Sequence, residues 1–338
     1  MLKILTIISF LTSQLLPTWG PLPVTSTPRQ MPASVKAIYA TAYMVQHPHF
    51  QELRDLISHT ELNAIVINTK EPTGPKLYPK LGKVVTELKN EGVWTIARQV
   101  VFQDDELVGR RPDLALKKAD GKLWRDSGGR TWVDPAAKEV WQYNLKVARE
   151  TLALGFDEIN LDYIRFPTDG NTNKIIYPVW DKKISREDVI ANFARWFRRE
   201  LKAINPNVKI SADVFGYTFL EDNDLGMGQR LSKLAPNFDV LAPMIYPSHY
   251  SPNNFNFANP AEHPYEVVRG TLEKGKPLLI NSPSTKIRPW IQDFNMGANY
   301  TPELIKAEIK GISDAGYESG WMLWNPKNVY TIDALKNN

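Results

Sequence analysis

From Val35 onward the chain repeats one pattern: a short apolar run, a polar loop, then an amphipathic stretch. The runs are VKAIYATAY (35–43), NAIVINT (63–69), WTIARQVVF (94–102), EINLDYIRF (158–166), KISADVFGY (209–217), VLAPMIY (240–246), PLLINSP (277–283) and GWMLWNP (320–326). Between them, apolar residues at three- and four-residue spacing predict helices over 50–60, 136–154, 186–204, 264–275 and 301–316. In 186–204, Val189, Phe193, Trp196, Phe197 and Leu201 share one face, the sort that packs on a sheet. Asp134 before Pro135 predicts an N-cap, and Gly155 and Gly316 predict helix stops. Strands alternating with helices pair in parallel, so eight such units predict a single (β/α)8 TIM barrel. An open doubly wound sheet would carry a Gly-rich phosphate turn after its first strand, and ATAYMVQHPHF has none.

The run FDEINLDYIRFP (156–167) breaks the apolar rule in a regular way: Glu158, Asn160 and Asp162 recur at every second position. A strand alternates sides with period two, so these three point the same way. A polar stripe inside a core is costly unless partners, water or a ligand meet it. The expectation is that they face the barrel axis, with Glu158 deep in a buried ion pair and Asp162 at the mouth.

The opening MLKILTIISFLTSQLLPTWG places Lys3 before an apolar run of signal-peptide length, too short to span a bilayer comfortably. Residues 1–20 are therefore expected to be a signal peptide or N-terminal anchor, 21–34 a Pro/Ser/Thr-rich linker, and 35–338 the catalytic domain. Export to the cell envelope or beyond is the expected localisation. Cysteine is absent, which excludes disulfides, thiol catalysis and Cys-zinc sites. A net charge of +4, spread along the chain, singles out no nucleic acid. Ten Trp and thirteen Tyr suit sugar-stacking surfaces as well as ordinary core filling.

In a TIM barrel, chemistry gathers at the C-terminal ends of the strands. Those ends offer Lys70 and Glu71, Arg98 with Asp104 just after, Asp162 and Arg165, Asp213, Tyr246 and His249, and Trp324. Asp162 is expected to close the fourth strand and Asp213 the fifth, so adjacent strands would hold two carboxylates side by side. Glycoside cleavage needs such a pair, one to protonate the leaving oxygen and one to attack or activate water. Salt bridges from Asp162 to Arg98 or Arg165 are the structural alternative. Glu71 and Asp104 read equally as solvent-facing loop charges, Trp324 as a sugar-subsite floor or core residue, and His249 as a loop histidine. Five His without an H-x-x-x-H pattern give no metal site, no G-x-S-x-G nucleophile is present, and no cofactor is expected.

Several motifs, GFDEINLDYIRFPTDG, RPDLALKKADGKLWRDSGGRTWVDP, ISADVFGY, APMIYPSHY, RPWIQDF and GWMLWNP, resemble the bacterial family of glycosyl hydrolase domains over about 35–330. The resemblance implies a TIM barrel related to glycoside hydrolases. FDEINLDYI is also similar to the fourth-strand D-G-x-D-x-D-x-E of chitinase-type barrels. There Asp157 and Asp162 match, but Asn160 replaces an Asp and Ile164 stands at the catalytic Glu, against a chitinase mechanism. Asp162 and Asp213 fit better the alpha-amylase layout of a strand-four nucleophile and a strand-five acid. In NTKE, Asn68 stands where the resembled family carries an acid.

The expectation is thus an exported monomeric hydrolase acting on a polysaccharide. Asp162 is nucleophile or base and Asp213 the acid. Arg98 and Arg165 hold charges or hydroxyls, and Lys70, Glu71, Asp104, Tyr246, His249, Arg288, Trp290, Asp293 and Trp324 line the site. The rival is a non-catalytic barrel that binds envelope glycan.

Overall fold

The computed structural model describes residues 29–336. The expected signal segment and most of the linker lie outside the described residues. Eight parallel strands close a barrel: β1 (Val35–Ala40), β2 (Ala64–Glu71), β3 (Trp94–Val100), β4 (Glu158–Asp162), β5 (Lys209–Phe215), β6 (Val240–Met244), a broken β7 (Lys286–Ile287 and Trp290–Gln292) and β8 (Gly320–Trp324). β1 pairs with both β2 and β8, which closes the ring. Among the described residues, no helix is long and apolar enough to cross a membrane.

Helices pack outside the ring: α1 (Phe50–His59), α2 (Leu81–Asn90), a short α3 (Asp105–Arg110), α4 (Lys138–Ala153), α5 (Arg186–Ile204), a one-turn α6 (Leu231–Leu234), α7 (Pro264–Gly275) and α8 (Pro302–Asp314). On α5, Val189, Phe193, Phe197 and Leu201 are buried against the sheet, and Trp196 at the stripe's edge is half-buried. Gly155, just past α4, adopts φ 98°, which a side chain resists. Asp134 does not cap α4, whose N-cap is Ala137 without a side-chain bond. Its carboxylate instead accepts from Ala136 N and from Val179 and Trp180 N, tying the helix approach to a distant loop.

The seventh strand departs from the sequence expectation. The apolar run 277–283 leaves α7 as a 3-10 turn over Lys276–Leu279, with Ile280 largely exposed. The strand lies further on, where Arg288-Pro289 interrupts KIRPWIQ. Arg288 disguises it, because a charge at mid-strand reads as loop until its buried partner is known. That partner is Glu158. The two side chains form an ion pair inside the barrel at 1% and 0% exposure. Glu158 also accepts from Trp94 Nε1 at 3.0 Å and from Ser211 Oγ at 2.5 Å. One level up, Asn160 donates to Ser211 Oγ at 3.1 Å and to Asp213 Oδ1 at 2.9 Å. The polar stripe of β4 is therefore a ladder along the axis, partnered by side chains of β3, β5 and β7 at its base.

Removing one member of a buried pair leaves a charge without compensation, at ~3–5 kcal/mol. Glu158→Gln and Arg288→Met are each expected to lower the unfolding free energy in urea by about that range, and the double substitution by less than their sum. Single losses near zero would contradict a structural role for the pair.

Candidate active site

Above the ladder, at the C-terminal ends of the strands, Arg98, Asp162 and Asp213 meet. Arg98 on β3 donates through Nη1 to Asn68 Oδ1 at 2.8 Å and through Nη2 to Asp162 Oδ2, while its Nε lies 3.7 Å from Asp213 Oδ2. One guanidinium thus touches both carboxylates expected to form the pair. Burial is the largest influence and opposes its charge, but Asp162, Tyr39, Asp213 and Tyr163 together outweigh it, and the Arg98 pKa is raised.

The two acids differ in surroundings. Asp162 accepts from Arg98 and, through Oδ1, from Tyr163 N at 2.6 Å. Asp213 is 1% exposed and accepts through Oδ1 from both Asn160 Nδ2 and Trp290 Nε1, the latter at 2.7 Å. Burial, then the negative charge of Asp162, push the Asp213 carboxyl up to about 7, against the pull of Arg98 and the two amide and indole donors. The two carboxyl groups on adjacent strands thus sit in unequal surroundings, and the deeper one, Asp213, is the one pushed up.

These groups open on a cavity of about 360 Å³. Of the expected residues, Arg165, Tyr246, His249, Trp290 and Trp324 line it with Arg98, Asp162 and Asp213. Burial lowers the His249 pKa, so its ring is neutral at pH 7, and burial raises Tyr246 well above its usual value. Trp324 stacks on Tyr39 at 4.1 Å and carries the Arg98 guanidinium over its ring at 5.3 Å. Its ring therefore braces the arginine as well as lining the cavity.

Five expected site residues lie elsewhere. Lys70 and Asp104 form a fully buried ion pair at 2.7 Å outside the ring. A bulge between Asn68 and Lys70 shifts the register, so that Lys70 stands beside Gln99, which bonds to Asn144 of α4, and not on the axial face with Asn68 and Arg98. Asp104 also caps α3 through Leu107 N at 2.7 Å. Arg288 is the partner of Glu158 below the cavity. Asp293 accepts from Thr331 N and Oγ1 at 2.9 and 2.8 Å, pinning the segment after β8. Glu71 is half-buried and accepts from Asn68 Nδ2 at 3.2 Å, beside the network but not on the cavity wall.

The cavity also uses residues that sequence reasoning passed over: Tyr163, Phe215, Gly216, Tyr217, Met244 and Tyr250. ADVFGY and YPSHY carry four of them, and Tyr163 and Met244 stand one and two residues from Asp162 and Tyr246. Gly216 is obligatory, since a Cβ there would lie 2.4 Å from the Tyr250 hydroxyl. Tyr163 gives a clearer signal only in three dimensions, with a left-handed φ of 54° that turns the chain sharply out of β4. Among the described residues, no group of three His, Cys, Asp or Glu is placed to hold a metal ion.

The closed (β/α)8 barrel thus presents two acids on adjacent strands at its C-terminal mouth, and the family match gives the class to which such a protein belongs. The chain belongs to the "Putative glycosyl hydrolase domain" family, whose model it matches over residues 37–330. No curated protein sequence matches it. Among solved structures it is similar to the glycoside hydrolase domain of PgaB (BpsB) from Bordetella bronchiseptica, at 11% identity and TM-score 0.63 over 87% of this chain and 95% of that one. It is also similar to an alpha-galactosidase from Thermus thermophilus, at 13% identity and TM-score 0.56 over 89% and 60%. The glycoside hydrolase domain of PelA from Pseudomonas aeruginosa matches at 15% identity and TM-score 0.51 over 88% and 97%. At such identities the likeness shows the shared fold.

The raised Asp213 pKa has a thermodynamic consequence. A carboxyl held protonated in the folded state stabilises the fold fully below its unfolded value of 3.8 and loses that contribution as pH rises through about 7. Across that window, wild type is expected to lose on the order of 4 kcal/mol through this group, and Asp213→Asn to lack that slope in urea titrations at successive pH values.

Proposed function

We propose that this chain is a glycoside hydrolase that cleaves a polysaccharide, with Asp213 as general acid and Asp162 as nucleophile or base. The unequal environment of the two carboxyls carries the reading. Asp213 Oδ1 already accepts two N–H donors, so its proton resides on Oδ2. From there it passes to the glycosidic oxygen as the bond from C1 to that oxygen breaks. Asp162, held by Arg98 and the Tyr163 N–H, either takes a proton from the water that attacks C1 or attacks C1 itself; in the second case water then cleaves the Asp162–C1 ester and returns a proton to Asp213. Water ends divided between the new C1–O bond and the released hydroxyl. Family membership supports a carbohydrate substrate. The solved structures that share the fold include a spore cortex-lytic enzyme from Bacillus megaterium. An exported enzyme acting on envelope glycan fits the signal-like opening of the sequence.

Asp162→Asn and Asp213→Asn are each expected to lower kcat by ~10²–10⁴-fold on any glycan the wild type cleaves, measured by reducing-sugar release. Wild-type kcat/KM should fall above about pH 7 as Asp213 ionises. Glycan binding without turnover, unchanged in Asp162→Asn, would assign the barrel to recognition instead of cleavage.

A further inference from the structure

A second cavity of about 400 Å³ adjoins the first, and Tyr163 and Arg165 line both. Its other walls come chiefly from the insertion between β3 and α4, whose strands pair through Gln103 with Trp132 and Arg125 with Thr131. The insertion is tied to the segment after β4 by pairing of Lys117 with Ile176. This is the RPDLALKKADGKLWRDSGGRTWVDP motif, for which the two-carboxylate chemistry has no use.

Of the polar groups on these walls, Asp126 and Gln103 are buried and tied to each other, whereas Arg130 and Asp169 are exposed. Asp126 accepts from Gln103 Nε2 at 2.7 Å, Trp132 Nε1 at 2.8 Å and Arg130 N at 2.9 Å. Arg130 is paired with Asp105 at 2.8 Å, and Asp169 accepts only a long bond from Ser127 N at 3.3 Å. Arg165 differs from the other buried cations at the mouth. Its guanidinium packs against the rings of Trp132, Tyr163 and Phe215 at 4.9, 5.3 and 5.0 Å. Its Nη1 donates to Phe166 O and Thr168 Oγ1, and among the described residues no carboxylate lies within 4.0 Å of it. A cation that is 8% exposed, without an acidic partner, at the border of two cavities is placed to donate to a ligand crossing between them. The left-handed backbone of Tyr163, a strained state for an aromatic residue, sets its ring in the same partition.

We propose that the outer cavity is a second sugar subsite, so that the substrate is a glycan chain lying across the Tyr163–Arg165 partition with one sugar on each side. Mixed donors and acceptors suit a neutral hexose or N-acetylhexosamine, whose hydroxyls both donate and accept. The inference rests on the hydrolase reading of the inner cavity and adds that cleavage falls within a chain instead of at a lone aryl-linked sugar.

Gly128 offers a direct test. It borders the outer cavity, its φ is not left-handed, and a Cβ there would meet only Asp126 Oδ1 at 3.4 Å. Gly128→Trp therefore fills the cavity from a position that tolerates a side chain, and Gly128→Ala is the folding control. The probes are p-nitrophenyl glycosides of the glucose, galactose, mannose and N-acetylglucosamine series, from mono- to trisaccharide. In wild type, kcat/KM is expected to rise at least ~tenfold from the mono- to the trisaccharide. Gly128→Trp should reduce that ratio to near unity and Gly128→Ala should retain it. No chain-length gain in wild type, or an undiminished gain in Gly128→Trp, overturns the subsite. Failure to turn over any glycoside sinks the hydrolase reading, and calorimetry with the free trisaccharides then decides the subsite alone. Affinity weakened at least ~tenfold by Gly128→Trp supports it, whereas equal affinity or no binding overturns it.

Discussion

The contact on which the barrel mouth depends is the guanidinium of Arg98. It joins Asn68 of β2, Asp162 of β4 and Asp213 of β5 from its own place on β3. Without that charge, two carboxyl groups would share a nearly dry pocket, and one would remain protonated over a wider pH range. With it, Asp162 has a cationic partner while the deeper Asp213 keeps a proton into the neutral range. A symmetric pair of acids cannot divide the labour of donating a proton and meeting a developing cation. Arg98 and the difference in depth break the symmetry.

Below it, the barrel spends a second ion pair on architecture. Glu158 and Arg288 lie on the same axial column as the site, yet they are enclosed by Trp94 and Ser211 and line neither the inner nor the outer cavity. The period-two alternation of β4 thus serves three purposes in three residues: Glu158 fixes β7 to β4, Asn160 aims an N–H at Asp213, and Asp162 reaches the mouth. Asn160 is informative here. Its amide satisfies an acid's oxygen, which an Asp at the same place could do only by holding a proton of its own.

How much of this the sequence discloses depends on what each feature requires. The barrel is legible because alternation of apolar runs and amphipathic helices is a local property. Asp162, Asp213 and Arg98 are legible because they fall at or near the ends of such runs. The seventh strand is hidden because its interior residue is charged, and that charge makes sense only beside Glu158, 130 residues away. Lys70 misleads for another reason: a one-residue bulge turns it from the axis to α4, and nothing local in NTKE marks the bulge. Asp104 and Asp293 are polar residues near strand ends that went to capping and loop-pinning, uses that spacing alone does not separate from catalysis. Tyr163 and Arg165 stand beside Asp162 in sequence, but their placement between two cavities needs the folded chain.

The most direct test of the unequal carboxyl pair is titration of the Asp213 side chain by carbon NMR, in wild type and in Asp162→Asn. The expected result is a carboxyl titrating near 7 that shifts down when the charge at 162 is removed. A carboxyl titrating near its ordinary value of 3.8, and indifferent to the substitution, would contradict it.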